Sequence, residues 1–300
     1  MGQLIRITVL LYGLLLPCKS VLCQIVPTQK KRWQLSVGPV LSAENFRWSI
    51  AGNEQGRNPD ILSELRLTAL KRAGILLEGG CLLGSRFSLT AAFAGQYGFS
   101  GRVTDVDYAG NGRSIPVAFH QFGSRGDHTA GYRLQGLYQV IRQSTVTITA
   151  GGGYFISKTR YRTQERSGAR TKGIYDAQWQ GPLLAMELRI QLPQNWMALA
   201  GISGQKHTYK ARGNWIHRTD FSHPLSFIHQ AKGLGGNGWL ALQYQIGSRA
   251  CLQLRGSLQQ WATGNGKDLL FMADGTQIPT RMNESVKTQM EMGLRGVFNF

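Results

Sequence analysis

The chain has 300 residues, 34 of them Lys or Arg and 16 Asp or Glu, for a formal net charge of +18, yet only 17% is charged and 42% is apolar. That balance is too apolar for a disordered basic tail. The 38 glycines, well above the usual share of about 7%, follow no collagen repeat and point to strands and turns; beyond the N-terminus no uncharged run offers the roughly 18 to 20 apolar residues of a spanning helix.

Taken in order, the chain opens with Arg6, an apolar run Ile7–Leu16, then Pro17, Lys19 and the sequence Val21-Leu22-Cys23-Gln24. This is the layout of a secretory signal peptide over Met1–Cys23, with cleavage expected after Cys23. Pro17 and Leu22 stand where a lipoprotein signal carries a small residue before its cysteine, which argues against a lipid anchor. Cleavage removes Arg6 and Lys19 and no acid, so the mature charge falls from +18 to +16. Residues 24–300 then hold only Cys81 and Cys251, which is no disulfide framework, and without a C-x-x-C or a His/Cys cluster no metal is expected.

Strand patterns are expected at 33–49, 62–82, 87–102, 128–141, 145–162, 177–192, 196–211, 231–246, 250–263 and 285–300. Tyr132, Leu134 and Tyr138 alternate with Arg133, Gln135 and Gln139. The same period of two runs through Leu184, Met186, Leu188 and Ile190, through Leu252, Leu254 and Leu258, and along Val286 to Phe300. Short turns at Gly84-Ser85, Arg142–Ser144, Pro193–Asn195 and Gly247-Ser248 fall between longer polar segments. An even strand count, short turns at one end, long loops at the other and a Phe-ended last strand predict an all-β, ten-stranded antiparallel transmembrane β-barrel of outer-membrane type, forming a single domain. The apolar parity should face lipid and the charged parity the interior. Ten strands make a tight barrel, filled by side chains such as Glu187, Arg189 and Arg255, and its first strand must pair with its last.

The five long loops, roughly 50–61, 103–127, 163–176, 212–230 and 264–284, share one rim, expected to be extracellular. The second opens on Asp105 and Asp107, and the fourth carries His217, Asp220, His223 and His229. Carboxylates at i and i+2 of an extended segment point to the same side, where their repulsion favours holding a proton or a water. A histidine across the mouth supplies a general base. Taken alone, Asp-x-Asp in a polar loop is usually a solvated turn, and without a glycine-bearing calcium loop it is poor evidence for a metal.

Several stretches in order resemble the omptins, ten-stranded outer-membrane endopeptidases of Gram-negative bacteria. They are Ile61-Leu62-Ser63-Glu64-Leu65, Val103–Tyr108, Ser124-Arg125 with Thr129, Gly153-Tyr154, Pro182 and the Phe-ended final strand. The resemblance runs over nearly the whole mature chain. It implies an endopeptidase that needs no metal, in which Asp105 and Asp107 hold the attacking water and His217 is the base. Three departures stand beside it. Trp215 occupies the place of the Asp that orients the omptin histidine, while Phe46 and Gly213 replace acids that grip a basic substrate side chain, with Glu44 close by.

The resemblance also implies a need for lipopolysaccharide, through a pattern matched by Tyr154 and Lys158 but broken at Ile156. Lys158, Arg160, Arg162, Arg166, Arg170 and Lys172 form a basic rim suited to lipid phosphates. The expected partners are outer-membrane lipid or lipopolysaccharide and a polypeptide substrate, with no cofactor, no nucleic acid and a monomeric barrel. The rival expectation is a catalytically inactive barrel of the same ancestry with an adhesion, lipid-contact or structural role; a third, weaker one is a substrate-specific channel.

Overall fold

The computed structural model describes residues 32–165, 167 and 170–300. The expected export signal and Arg166 lie outside the described residues.

The strands of the described residues are β1 (Trp33–Ile50), β2 (Ser63–Leu83), β3 (Phe87–Gly110), β4 (Ser114–Gly123), β5 (His128–Arg142), β6 (Val146–Gln164), β7 (Thr171–Gln191), β8 (Trp196–Asn214), β9 (Phe227–Gln245), β10 (Ala250–Thr263), β11 (Gly266–Phe271) and β12 (Gln277–Asn299), with one 3-10 turn, Asn111–Arg113, between β3 and β4. Ten of them form a closed antiparallel wall, and β12 pairs with β1 from Gln34↔Asn299 to Ile50↔Met282. The other two are short strands of the long-loop end. β4 lies above β5, paired to β3 and touching β6 only at Gly123↔Gln164. β11 sits above β10, between β9 and β12. Closure leaves no open edge in the wall, as a barrel in hydrocarbon requires. At the opposite end the turns are tight, and the one after β2 uses Gly84 at φ +70°, a conformation that costs glycine little.

The alternation read from the sequence sets the orientation. Leu184, Met292 and Leu254 are 74%, 63% and 51% exposed, and together with Ile202, Leu240 and Met290 they form an apolar outer belt. The inward parity carries the charges. Glu44 lies in the lumen with an oxygen 2.8 Å from Arg72 Nη1 and 3.1 Å from Lys287 Nζ, and it accepts a hydrogen bond from the Tyr161 hydroxyl at 2.7 Å. Above this network, toward the long loops, Phe46, Trp48, Tyr175, Trp179, Tyr209, Trp215, Phe227 and Trp261 pack into one buried cluster. Ten strands enclose a space that side chains can fill, and here large rings fill it.

The strands also run further than expected at the long-loop end. β3 continues to Gly110, so Asp105 and Asp107 lie on a strand rather than in a loop, and β9 begins at Phe227, which moves His229 out of the fourth loop into the wall. β4 and β11 were expected to be loop. For the long wall strands the reason is physical: above the apolar belt the outward residues become polar, as with Arg102 and Thr104 on β3 or Asp176 and Gln178 on β7, so the hydrophobic period of two fades while the ladder of backbone hydrogen bonds continues.

Candidate active site

Asp105 and Asp107 share a parity on β3, so the pleat turns both carboxylates to the inner side of the mouth. In register, Asp105 stands between Leu65 of β2 and His120 of β4. Its side chain is buried, and its Oδ2 accepts a 2.9 Å hydrogen bond from Trp215 Nε1. Burial pushes the Asp105 carboxyl up to about 7; Asp107 adds to the rise, while the Trp215 bond and Arg218 oppose it.

Trp215 follows β8 directly. Its backbone N–H donates to Ser226 Oγ at 2.9 Å, and its ring packs against Trp48, Tyr175 and Phe227. The residue that departs from the omptin pattern is therefore part of the aromatic plug and reaches the first Asp instead of the His.

His217 is oriented by other means. Its backbone N–H donates to the Lys172 carbonyl at 3.1 Å, and its ring Nδ1 lies 3.0 Å from the same oxygen. A carbonyl only accepts, so this contact assigns the proton to Nδ1 and leaves the Nε2 lone pair able to accept a proton. The histidine titrates below its ordinary range: burial is the main cause, nearby His120, Arg218 and Lys172 add to it, and the Lys172 carbonyl opposes it.

Asp107 lies 3.5 Å from Arg218 Nη1. Arg218 also holds Asp220 through Nε at 2.9 Å and Nη2 at 2.8 Å, so Asp220 is committed to this arginine and does not take over the orienting role. Sequence reasoning missed two residues here. His120, whose ring centroid is 5.4 Å from that of His217, and Phe122, at 5.3 Å, line the inner face of β4. The alternation of Ile115, Val117 and Phe119 with Pro116, Ala118, His120 and Phe122 was the available signal.

The remaining candidates fall outside the site. His223 is tied within its loop, by Asn214 Oδ1 at 2.7 Å and the Arg218 carbonyl at 3.1 Å. His229 is buried in the wall, with Nδ1 2.8 Å from the Tyr175 hydroxyl and Nε2 3.0 Å from Asp268 Oδ1. Phe46 is stacked on Tyr161 with centroids 4.6 Å apart, and Gly213 is backed by Phe227, whose ring would lie 2.1 Å from an added Cβ. Glu44 belongs to the lumenal ion network and offers no grip at the mouth. Among the described residues no group of three or more His, Cys, Asp or Glu side chains is arranged to hold a metal ion. Tyr154, Ile156 and Lys158 share the outward face of β6, with Tyr154 45% exposed. Lys158 leads a row across the outer wall, Lys158–Gln178–Lys210–Gln230–Lys267, read from the strand registers.

Residues 42–291 match the model of the Protochlamydia outer membrane protein family, Pom. The chain belongs to the Pom family. Among solved structures this Pom barrel is similar to the outer membrane protease OmpT from Escherichia coli, with 12% identity, a TM-score of 0.67, and coverage of 90% of this chain and 97% of that one. It is less similar to the translocator domain of the autotransporter NalP from Neisseria meningitidis, with 8% identity, a TM-score of 0.41, and coverage of 91% and 90%. For OprG from Pseudomonas aeruginosa the identity is 8% and the TM-score 0.37, with 90% and 97% covered. No curated protein matches the sequence. At such identities the likeness to OmpT is one of fold. The Pom chain is an outer-membrane β-barrel with OmpT-like architecture.

Proposed function

We propose that this Pom-family barrel is an outer-membrane endopeptidase of the omptin kind, its long loops extracellular and its catalytic group formed by Asp105, Asp107 and His217. The observation that carries the reading is the Nδ1 contact of His217 with the Lys172 carbonyl. A backbone acceptor fixes the ring tautomer as a carboxylate would, so loss of the omptin Asp at Trp215 leaves an oriented base. Nε2 takes a proton from water as the water oxygen bonds to the peptide carbonyl carbon. The same proton then passes to the departing amine as the C–N bond breaks. Asp105 and Asp107 hold the water and stabilise the imidazolium. Unlike a carboxylate, the Lys172 carbonyl carries no full charge to stabilise that imidazolium, so turnover should be slow.

Lipopolysaccharide is proposed as a partner through the outer row of Lys158, Lys210 and Lys267, with Tyr154 beneath it. The closed wall supports a monomer.

A second reading, a catalytically silent barrel, is favoured by one observation: the indole of Trp215 occupies Asp105 Oδ2. A peptide library incubated with the protein refolded in lipopolysaccharide separates the two. Cleavage that disappears in Asp105→Ala and in His217→Ala supports the peptidase. No cleavage, or cleavage indifferent to both substitutions, overturns it.

A further inference from the structure

The short-turn half of the lumen holds a cavity of about 160 Å3, lined in part by Arg133, Arg255, Arg295, Gln96, Asn237 and Ser257. The charges on and beside its wall do not balance. Four guanidinium groups, those of Arg133, Arg189, Arg255 and Arg295, interact with Glu78, and the other carboxylate acting on Arg255 and Arg295 is Glu187. With Glu291 of the cavity wall as the third carboxylate, four cations against three anions leave an excess of one positive charge. The ion pairs that exist are loose, at 3.3 Å from Arg133 to Glu78, 3.8 Å from Arg295 to Glu78 and 3.7 Å from Arg189 to Glu187.

Arg255 lies 3.9 Å over the Trp239 ring and, among the described residues, has no carboxylate at ion-pair distance. Arg295 is 3% exposed, and its Nε has no hydrogen-bond partner; the buried Nε of Arg189 has none either. Glu291, also on the cavity wall, makes no ion pair with these arginines among the described residues. Its oxygens accept from Gln96 and Gln289 at 2.8 Å each and from Ser257 at 3.4 Å.

Buried cations without partners are costly, and forked N–H donors match the geometry of a tetrahedral oxyanion. We propose that this vestibule binds a small inorganic oxyanion of the phosphate type. The cavity has room for one such ion with water beside it. Access is from the short-turn end, where the side chains of Arg189, Arg133 and Glu78 are 42%, 29% and 23% exposed; toward the long loops the buried Lys287 and the aromatic cluster close it. The site is a blind pocket, separate from the mouth and independent of the peptidase reading.

Equilibrium dialysis of the detergent-refolded full barrel against radiolabelled inorganic phosphate, at constant ionic strength set with sodium chloride, tests this. One saturable phosphate per chain is expected, with affinity at least tenfold weaker in Arg255→Gln and in Arg295→Gln and unchanged in the outer-wall pair Lys206→Gln/Lys232→Gln. Arg189→Gln, at the open end, serves the same purpose if the deeper variants do not refold, and is expected to weaken binding. Absence of saturable binding, binding undiminished in the arginine variants, or binding lost in the outer-wall variant overturns the proposal.

Discussion

Replacing Asp105 with Asn should remove most of the pH dependence of stability that arises at the mouth. The carboxyl is raised from 3.8 to about 7 in the folded barrel, roughly three units, and at about 1.36 kcal/mol per unit this corresponds to a ceiling of about 4 kcal/mol. The sign follows from the direction of the shift. The fold prefers the protonated acid, so its contribution is complete below about pH 4, declines as the pH rises toward 7 and levels off above that. Asn stays neutral throughout and still offers Trp215 an acceptor. Urea unfolding of the bilayer-refolded protein between pH 4 and 8.5, wild type minus Asp105→Asn, isolates this group from the other titrating residues. The wild type should lose about 4 kcal/mol relative to the variant across that range. Trp215→Phe removes the indole donor from the ionised form, a bond worth about 1.5–3 kcal/mol, and should carry the loss to higher pH. A flat difference curve would refute the reasoning, because it would mean that Asp105 is solvated and not held by Trp215.

Three further outcomes follow from the packing. Glu44→Gln leaves Arg72 and Lys287 buried without their shared carboxylate and should cost about 3–5 kcal/mol in urea unfolding. Gly213→Ala drives a methyl into the Phe227 ring and should cost about 1–3 kcal/mol, with partial recovery in Gly213→Ala/Phe227→Leu. Met292→Arg, on the lipid face, should cost about 2–4 kcal/mol in bilayers; tolerance of the arginine there would mean that Met292 does not meet hydrocarbon.

The ten wall strands were legible because one physical demand, apolar outward and polar inward, acts on every residue of the belt: Leu184 and Glu187, or Leu254 and Arg255, declare their faces by composition alone. The upper wall was not legible. There the outside is water or headgroup, and Arg102 or Gln178 satisfies it as well as a loop residue would, so the upper part of β3 carries no hydrophobic signature; β4 does alternate at Ile115, Val117 and Phe119 but over a strand of only 10 residues, and β11, at 6 residues, is too short to establish a period. Asp105, Asp107 and His217 were proposed from residue type, order and the omptin resemblance, and the structure brings their segments together at one mouth. His120 was missed because its strand was missed. The Lys172 carbonyl was beyond reach for a different reason: a backbone acceptor has no letter in the sequence, and only the geometry of the chain after β8 brings it to the ring.

The fold likewise changes what Trp215 does. Seen as a letter, it stands where the omptin resemblance calls for an acid. In the fold its consequences are divided. The ring becomes part of the plug with Trp48, Tyr175 and Phe227, which dries the floor of the mouth. Its N–H fastens Asp105 to that floor, and a dry floor is what raises the Asp105 carboxyl toward neutrality. If the mouth hydrolyses peptides, the base His217 is already neutral below its ordinary range, so the rising limb of the rate with pH should belong to Asp105 and lie near 7. Trp215→Phe should move that limb to higher pH; an omptin-type Asp restored there would remove the indole donor and set a third carboxylate beside two. A rate profile that rises instead in the range of His217 and ignores Trp215→Phe would assign the ionisation to the histidine and leave the indole with packing alone.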